Sequence, residues 1–234
     1  MVSIEYELNL WKTHNYISGT DEAGRGPLAG PIVIASVILN KEHFSTTKNW
    51  QQESKPDIPT NNDISYAEVL KTYSMIDDSK KLSVKKREVL AEFIKSFAIC
   101  YSIIEISSEE IDELGITQAN SIGFYKSIKS LETRPDFMLT DHFPIPNINM
   151  KKQTNITRGD SISLSIAAAS ILAKTHRDNL MTKLHEKHPE YGFDRHKGYG
   201  TKLHFEMIEK YGPCKVHRHS FYPITKYSSV AANH

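Results

Sequence analysis

The sequence predicts an α/β fold: a mixed sheet flanked by helices, with a small helical part near the C-terminal end. Three observations carry this expectation. Short apolar runs rich in β-branched residues, such as Ile32-Val33-Ile34-Ala35-Ser36-Val37-Ile38-Leu39, alternate with longer amphipathic stretches. Helix-start chemistry recurs ahead of those stretches, at Ser83 and at Ser107 or Ser108. Beyond residue 158 the pattern is helical almost throughout, broken only by a Gly/Pro-rich loop.

The elements follow in order. Residues 1–15 lack clear periodicity and read as a short helix or a loose arm. Ile17 to Asp21 and Ile32 to Leu39 are strands. Residues 41–75 read as a surface insertion, because KNWQQESKPDIPTNNDIS is polar and carries Pro56, Pro59, Asn61 and Asn62. Ser83 opens a helix running through REVLAEFIKSF, and Phe97 to Ile106 is a strand. A helix with Glu109, Glu110 and Asp112 in its first turn follows, as the macrodipole favours, and Gly115 breaks it. Ile116 to Leu131 is a further helix, and Asp136 to Thr140 a short strand running into Asp141. After a proline-containing loop comes an extended piece to Thr157. The longest helix is expected to start at Gly159-Asp160-Ser161, with Asp160 as its cap, and to stop at Pro189. Its Ala-Ala-Ala-Ser segment is small-sided, which suits close packing on the sheet. Residues 191–201 read as a loop, and Lys202 to Tyr211 as a last helix stopped by Gly212-Pro213.

The 234 residues suffice for one large domain, and the 39% apolar and 24% charged shares are those of an ordinary globular protein. No stretch approaches the roughly 20 apolar residues of a membrane span. The first residues, MVSIEYELNLWKTHN, read as neither a secretory signal nor a transit peptide. Cys100 and Cys214 are far apart and lack a C-x-x-C spacing, which fits a reducing, cytoplasmic setting and argues against a thiolate metal site. The net charge of +1 hides an asymmetry. Residues 1–150 hold 15 Lys/Arg against 21 Asp/Glu, whereas residues 151–226 hold 14 against 7 and seven of the eleven histidines. An acidic front beside a basic, His-rich end suits a polyanion-binding enzyme with a carboxylate metal site.

The chemistry gathers around Gly19 to Pro31, GTDEAGRGPLAGP. Asp21 and Glu22 stand at a strand end, and Gly24-Arg25-Gly26 forms a tight loop whose amides can approach a phosphate or sugar closely. Two neighbours in a regular strand point to opposite faces, so Asp21 and Glu22 serve one site only if the strand twists or ends there; Gly24 allows that. Asp141 has the same strand-end context, and Asp178 lies inside the longest helix. Four carboxylates suit hard cations such as Mg²⁺ or Mn²⁺, and two such ions can activate a water and stabilise a leaving oxygen in phosphodiester hydrolysis.

These motifs resemble the type 2 ribonuclease H family, ribonuclease HII. The matching stretches are Gly19 to Pro31, Asp78-Ser79-Lys80-Lys81-Leu82-Ser83, Glu109-Glu110-Ile111-Asp112, Gly159-Asp160, SIAAASILAKTHRD at 165–178, HKGYGT at 196–201 and His217-Arg218-His219-Ser220-Phe221. The resemblance implies a ribonuclease H-like mixed five-stranded sheet flanked by helices, over residues 1–223. Residues of about 41–75 would be a surface insertion, about 190–223 the helical C-terminal part, and 224–234 a flexible tail. It implies that Asp21, Glu22, Asp141 and Asp178 bind two Mg²⁺ or Mn²⁺ ions and carry catalysis. Gly24, Arg25 and Gly26 would read a ribose 2′-OH, Tyr199 would pack on the following sugar, and Lys80 would contact a phosphate. The 2′-OH is the group that separates RNA from DNA at one position, so a loop built to hydrogen-bond it has a physical purpose.

The implied activity is endonucleolytic cleavage of RNA in RNA–DNA hybrids and 5′ of ribonucleotides embedded in duplex DNA. A monomer with no membrane partner is expected. A non-catalytic hybrid-binding module of the same fold is the alternative, and dependence of cleavage on Mg²⁺ separates the two. The sequence departs from the family pattern at His142, where a glycine is usual, at Arg158, where a lysine is usual, and in the length of the 41–75 insertion. The segment SFYPITKY resembles a sliding-clamp box only loosely, so no clamp contact is expected.

Overall fold

The computed structural model describes residues 2–44 and 65–228. Five strands form one sheet: β1 (Ile17–Ala23), β2 (Ile32–Leu39), β3 (Ala98–Ile106), β4 (Phe137–Asp141) and β5 (Gln153–Ile156). Their order is β3-β2-β1-β4-β5. The pairs β1–β2 and β2–β3 are antiparallel, while β4 lies parallel to β1 and β5 parallel to β4. The sheet is therefore mixed and five-stranded, as expected. All eight residues of β2 are buried. A strand covered on both faces needs a continuous apolar run, which is what residues 32–39 supply.

The helices are α1 (Glu5–Leu10), α2 (Tyr66–Tyr73), α3 (Val84–Phe97), α4 (Ser108–Leu114), α5 (Ile116–Lys129), α6 (Leu164–Lys187), α7 (Phe193–His196), α8 (Lys202–Tyr211) and α9 (Thr225–Ser228). One core lies between the sheet and α6, with α3 and α2 packed behind, and holds Val33, Val37, Leu90, Ile94 and Ile171. The opposite core lies under α5, with Ile34, Ile38, Ile106 and Phe124. Among the described residues no helix is long and apolar enough to cross a membrane.

Helix α6 sits very close to β1. A methyl group added at Gly19 would fall 2.1 Å from the backbone carbon of Ser165. Glycine on the strand and the small Ala167-Ala168-Ala169 run on the helix together permit this contact. The start of α6 is also held from a distance. Ser165 donates its backbone N–H to Glu7 Oε1 at 2.9 Å, and the Ser163 and Ser165 hydroxyls donate to the same oxygen at 2.6 Å. A buried carboxylate at the positive end of a 24-residue helix is where the helix dipole favours it. Residues 5–10 are thus a docked helix rather than a loose arm.

Three sequence expectations are corrected. The cap of α6 is Ser163, whose hydroxyl accepts from the Ile166 N–H; Asp160 lies in a preceding 3₁₀ turn and holds Lys80 instead. The stretch expected to remain an insertion as far as residue 75 includes α2, started by a reciprocal capping pair of Ser65 and Glu68. Its Val69, Leu70 and Tyr73 are buried. Residues 45–64 of that expected insertion lie outside the described residues. At the other end, Ile224 is fully buried and α9 follows it, so the packed chain continues past residue 223. The rest of the expected tail, from residue 229, also lies outside the described residues.

Candidate active site

Parallel pairing brings two of the acids together. Thr20 of β1 stands opposite Thr140 of β4. The next residue on each strand is an aspartate, Asp21 and Asp141. Neighbouring positions on paired parallel strands point to the same face, about 4.8 Å apart. That face looks onto α6, because Asp21 has the parity of Gly19, which abuts Ser165. Ser170, Lys174 and Asp178 recur every four residues along α6 and so form one stripe on it. The Ser170 hydroxyl faces Asp21, whose carboxyl it holds down, and lies 3.0 Å from the Ser79 hydroxyl.

Asp21, Glu22 and Asp141 line one open cavity of about 450 Å³ together with Gly24, Arg25 and Gly26. Lys80 and Tyr199 complete its rim. All the expected site residues except Asp178 therefore meet there. Glu22 reaches the same cavity as its strand neighbour Asp21, one residue before the strand stops at Ala23 and Gly24 turns the chain with φ +96°. A side chain at Gly24 would also collide with Arg177, whose Nε lies 2.0 Å from the ideal Cβ position. At Gly26 an added Cβ meets nothing within 4 Å, so that glycine leaves room over the cavity rather than serving the packing.

The carboxyls carry the strain of being close and dry. Burial raises the Asp21 carboxyl well above the usual range, and Glu22 and Asp141 raise it further. Burial and Asp141 push Glu22 up to about 7. Asp141 is also raised by burial, partly offset by a 2.7 Å hydrogen bond from the Gly159 N–H to its Oδ1. Glu22 Oε2 is buried with no hydrogen-bond partner. Mutually repelling carboxylates with a spare buried oxygen fit a small, hard divalent cation.

Asp178 is occupied differently. Its Oδ1 accepts from Lys174 Nζ at 2.7 Å and its Oδ2 from Arg87 Nη2 at 3.0 Å. Arg87 donates also to the carbonyls of Ser79 and Leu82, tying the 78–83 loop to α6. Among the described residues, no group of three or more Asp, Glu, His or Cys side chains is already disposed to hold a metal ion.

Lys80, Arg25 and Tyr199 are braced from behind. Lys80 Nζ is 2.9 Å from Asp160 Oδ2, while its side chain stays 76% exposed at the cavity rim. The Arg25 guanidinium lies 4.3 Å over the Phe143 ring. Tyr199 is 44% exposed on a loop held by buried histidines. His204 Nδ1 sits 2.9 Å from the Tyr199 carbonyl, and its Nε2 is 3.1 Å from His217 Nε2. His196 stacks on His204 at 4.2 Å and accepts the Gly198 N–H on Nδ1 at 3.2 Å.

Comparison with known proteins decides the family. The family model described as Ribonuclease HII matches residues 18–55 and 62–224. The chain is 44% identical over 217 residues to the ribonuclease HII of Caldanaerobacter subterraneus subsp. tengcongensis, covering 92% of this chain and 78% of that one. The chain belongs to the ribonuclease HII family. It is therefore an endonuclease of the type 2 ribonuclease H class, and the cavity is its candidate active site. The fold agrees with solved structures. That of the ribonuclease H2 from Pyrococcus horikoshii OT3 superposes with a TM-score of 0.69 at 21% identity, covering 94% of this chain and all of that one. That of Bst-RNase HIII in complex with Mn²⁺ gives 0.64 at 17%, covering 94% of this chain and 71% of that one.

Sequence reasoning missed Ser79, Arg87, Ser170 and Lys174 as cavity residues. Ser170 and Lys174 were findable, since their spacing of four from Asp178 marks a single helix face. Arg87 has no such signal, because only tertiary folding brings α3 beside α6.

Proposed function

We propose that this family member hydrolyses the RNA strand of RNA–DNA hybrids and cuts 5′ of ribonucleotides embedded in duplex DNA. The observation that carries the reading is the meeting of Asp21, Glu22 and Asp141 with the Gly24–Gly26 loop in one open cavity. In hydrolysis a water oxygen bonds to phosphorus, the bond from phosphorus to the 3′ oxygen breaks, and that oxygen takes up a proton. The ends are then a 3′-OH and a 5′-phosphate.

Two Mg²⁺ or Mn²⁺ ions, when bound, supply the polarisation that activates the water and offsets charge on the leaving oxygen. Asp21, Glu22 and Asp141 are the residues to hold them, and Asp178 joins when its ion pair with Lys174 opens. A Mn²⁺ complex of the related Bst-RNase HIII is in keeping with this choice of ion. Arg25 and the amides of residues 24–26 hydrogen-bond the ribose 2′-OH, and the open space at Gly26 admits the sugar. Tyr199 packs on the sugar that follows. Lys80, aimed by Asp160, meets a phosphate oxygen.

The test is a pair of duplexes of one sequence, one carrying a single ribonucleotide and one all DNA, incubated with Mg²⁺. Cleavage only of the first, immediately 5′ of the ribonucleotide, is expected. Equal cleavage of both, or of neither, would overturn the reading.

A further inference from the structure

Two arginines outside the cavity hold the parts that face the substrate. Arg177 and Arg218 are both fully buried. Among the described residues, the hydrogen bonds of their guanidinium groups go to backbone carbonyls. Arg218 Nη2 donates to Gly24 at 2.6 Å, its Nη1 to Arg25 at 2.9 Å and its Nε to Gly30 at 3.0 Å. Arg177 Nε donates to Pro31 at 2.9 Å, its Nη2 to Ala29 at 3.2 Å and its Nη1 to Lys197 at 3.0 Å. Arg177 thereby joins the chain after the glycine loop to the turn that presents Tyr199, whose ring centroid is 5.9 Å from the guanidinium carbon. Arg218 sits 5.1 Å over the Phe221 ring, which fixes its plane.

Burying a cation is costly unless it is hydrogen-bonded. Six carbonyls take six of the ten guanidinium N–H groups here, five of those carbonyls between residues 24 and 31. A lysine in either place offers one nitrogen and cannot bridge carbonyls spread along two segments. Overall packing alone does not explain why both forks converge on the segment that carries the glycine loop of the cavity.

We propose that Arg177 and Arg218 are positioning residues that set the distance between the Gly24–Gly26 loop and Tyr199, and so the selection of a ribose followed by a deoxyribose. Arg218 fixes the two carbonyls of the reading loop, and Arg177 fixes the spacing to the tyrosine turn. The inference rests on the reading of Gly24–Gly26 as the ribose-contacting loop.

The test uses full-length R218K and R177K. Each is measured for kcat and KM on the single-ribonucleotide duplex, for Kd on all-DNA duplex, and for thermal midpoint. The expected result is a fall in kcat/KM on the order of 100-fold, because a misplacement of about an ångström has that effect. Kd for all-DNA duplex and the circular-dichroism spectrum stay as in the wild type. Wild-type kcat/KM in both lysine variants overturns the positioning role. So does a fall in activity matched by an equal loss of DNA binding or of folded protein, since that is a structural role alone. If the wild type cuts all-DNA duplex as readily as the ribonucleotide duplex, the underlying reading fails instead.

Should neither variant fold, the wild type decides by nitrogen-15 spectra of its arginine Nε–H groups. With divalent ions chelated, the Arg177 and Arg218 signals shift on adding the ribonucleotide duplex and not on adding all-DNA duplex. Equal shifts with both duplexes overturn the proposal.

Discussion

At the residue scale the most informative departure is His142. A histidine follows Asp141, where the resemblance leads one to expect glycine. The backbone at His142 is left-handed, with φ +60°. Its N–H donates to the Ile156 carbonyl at 3.0 Å, which ties the residue after Asp141 to β5. A side chain in that region carries a cost of about 1–2 kcal/mol, more for β-branched residues. We therefore expect His142→Gly to leave stability within about 1 kcal/mol of the wild type, the relieved strain offsetting the larger unfolded-state entropy of glycine. His142→Val should lose about 1–2 kcal/mol. Urea denaturation checks both, and a valine variant as stable as the glycine variant would contradict the left-handed assignment. Asp178 teaches a related point. Its place on α6 was legible in the sequence, but its pairing with Arg87 and Lys174 was not, because only the packing of α3 and the 78–83 loop brings Arg87 there.

At the element scale the strands were the most legible parts. Residues 32–39 and 98–106 are long β-branched runs, and short-range pattern is enough to mark them. The helix starts were less so where two capping residues compete. Asp160 and Ser163 are both good caps, and tertiary contacts decide, since Ser163 also meets buried Glu7 while Asp160 meets Lys80. Helix α2 was hidden because its capping pair, Ser65 and Glu68, closes a long polar stretch. The turn of residues 196–201 was recognisable as a motif, yet nothing in the sequence revealed that three histidines brace it.

That brace gives a pH prediction. Burial and neighbouring imidazoles push His204 down to about 4, and His217, for the same reasons, to about 3. His196, also lowered by burial, stacks against His204. Unfolded, each titrates near 6.5. Between about pH 6.5 and pH 4 the unfolded chain binds more protons than the folded one, so stability is present above 6.5 and lost as pH falls through this window. The slope is at most about 1.4 kcal/mol per pH unit for each imidazole. The carboxyl groups titrate in the same range, so the comparison is with His217→Gln, which leaves them unchanged. Denaturation midpoints between pH 7.5 and pH 4.5 should fall more steeply in the wild type than in that variant. Parallel curves would rule out the neutral-histidine brace.

At the scale of the whole molecule, the sheet edge and the charge asymmetry work together. Asp21, Glu22 and Asp141 of the acidic front part line the cavity, while residues 151–226 carry the excess of Lys and Arg. A duplex held that way binds largely through phosphate contacts, each adding about 0.9 to the slope of log K against log salt. Lys80→Ala should flatten that slope by about one contact, as read from duplex titrations at several salt concentrations. An unchanged slope would take Lys80 off the phosphate. The central claim is that the cavity lined by Asp21, Glu22 and Asp141 performs the cleavage. It is tested most directly by Asp21→Asn assayed on a duplex with a single ribonucleotide and Mg²⁺. The account predicts that cutting disappears while duplex binding and the thermal midpoint are retained. Cutting at the wild-type rate would contradict it.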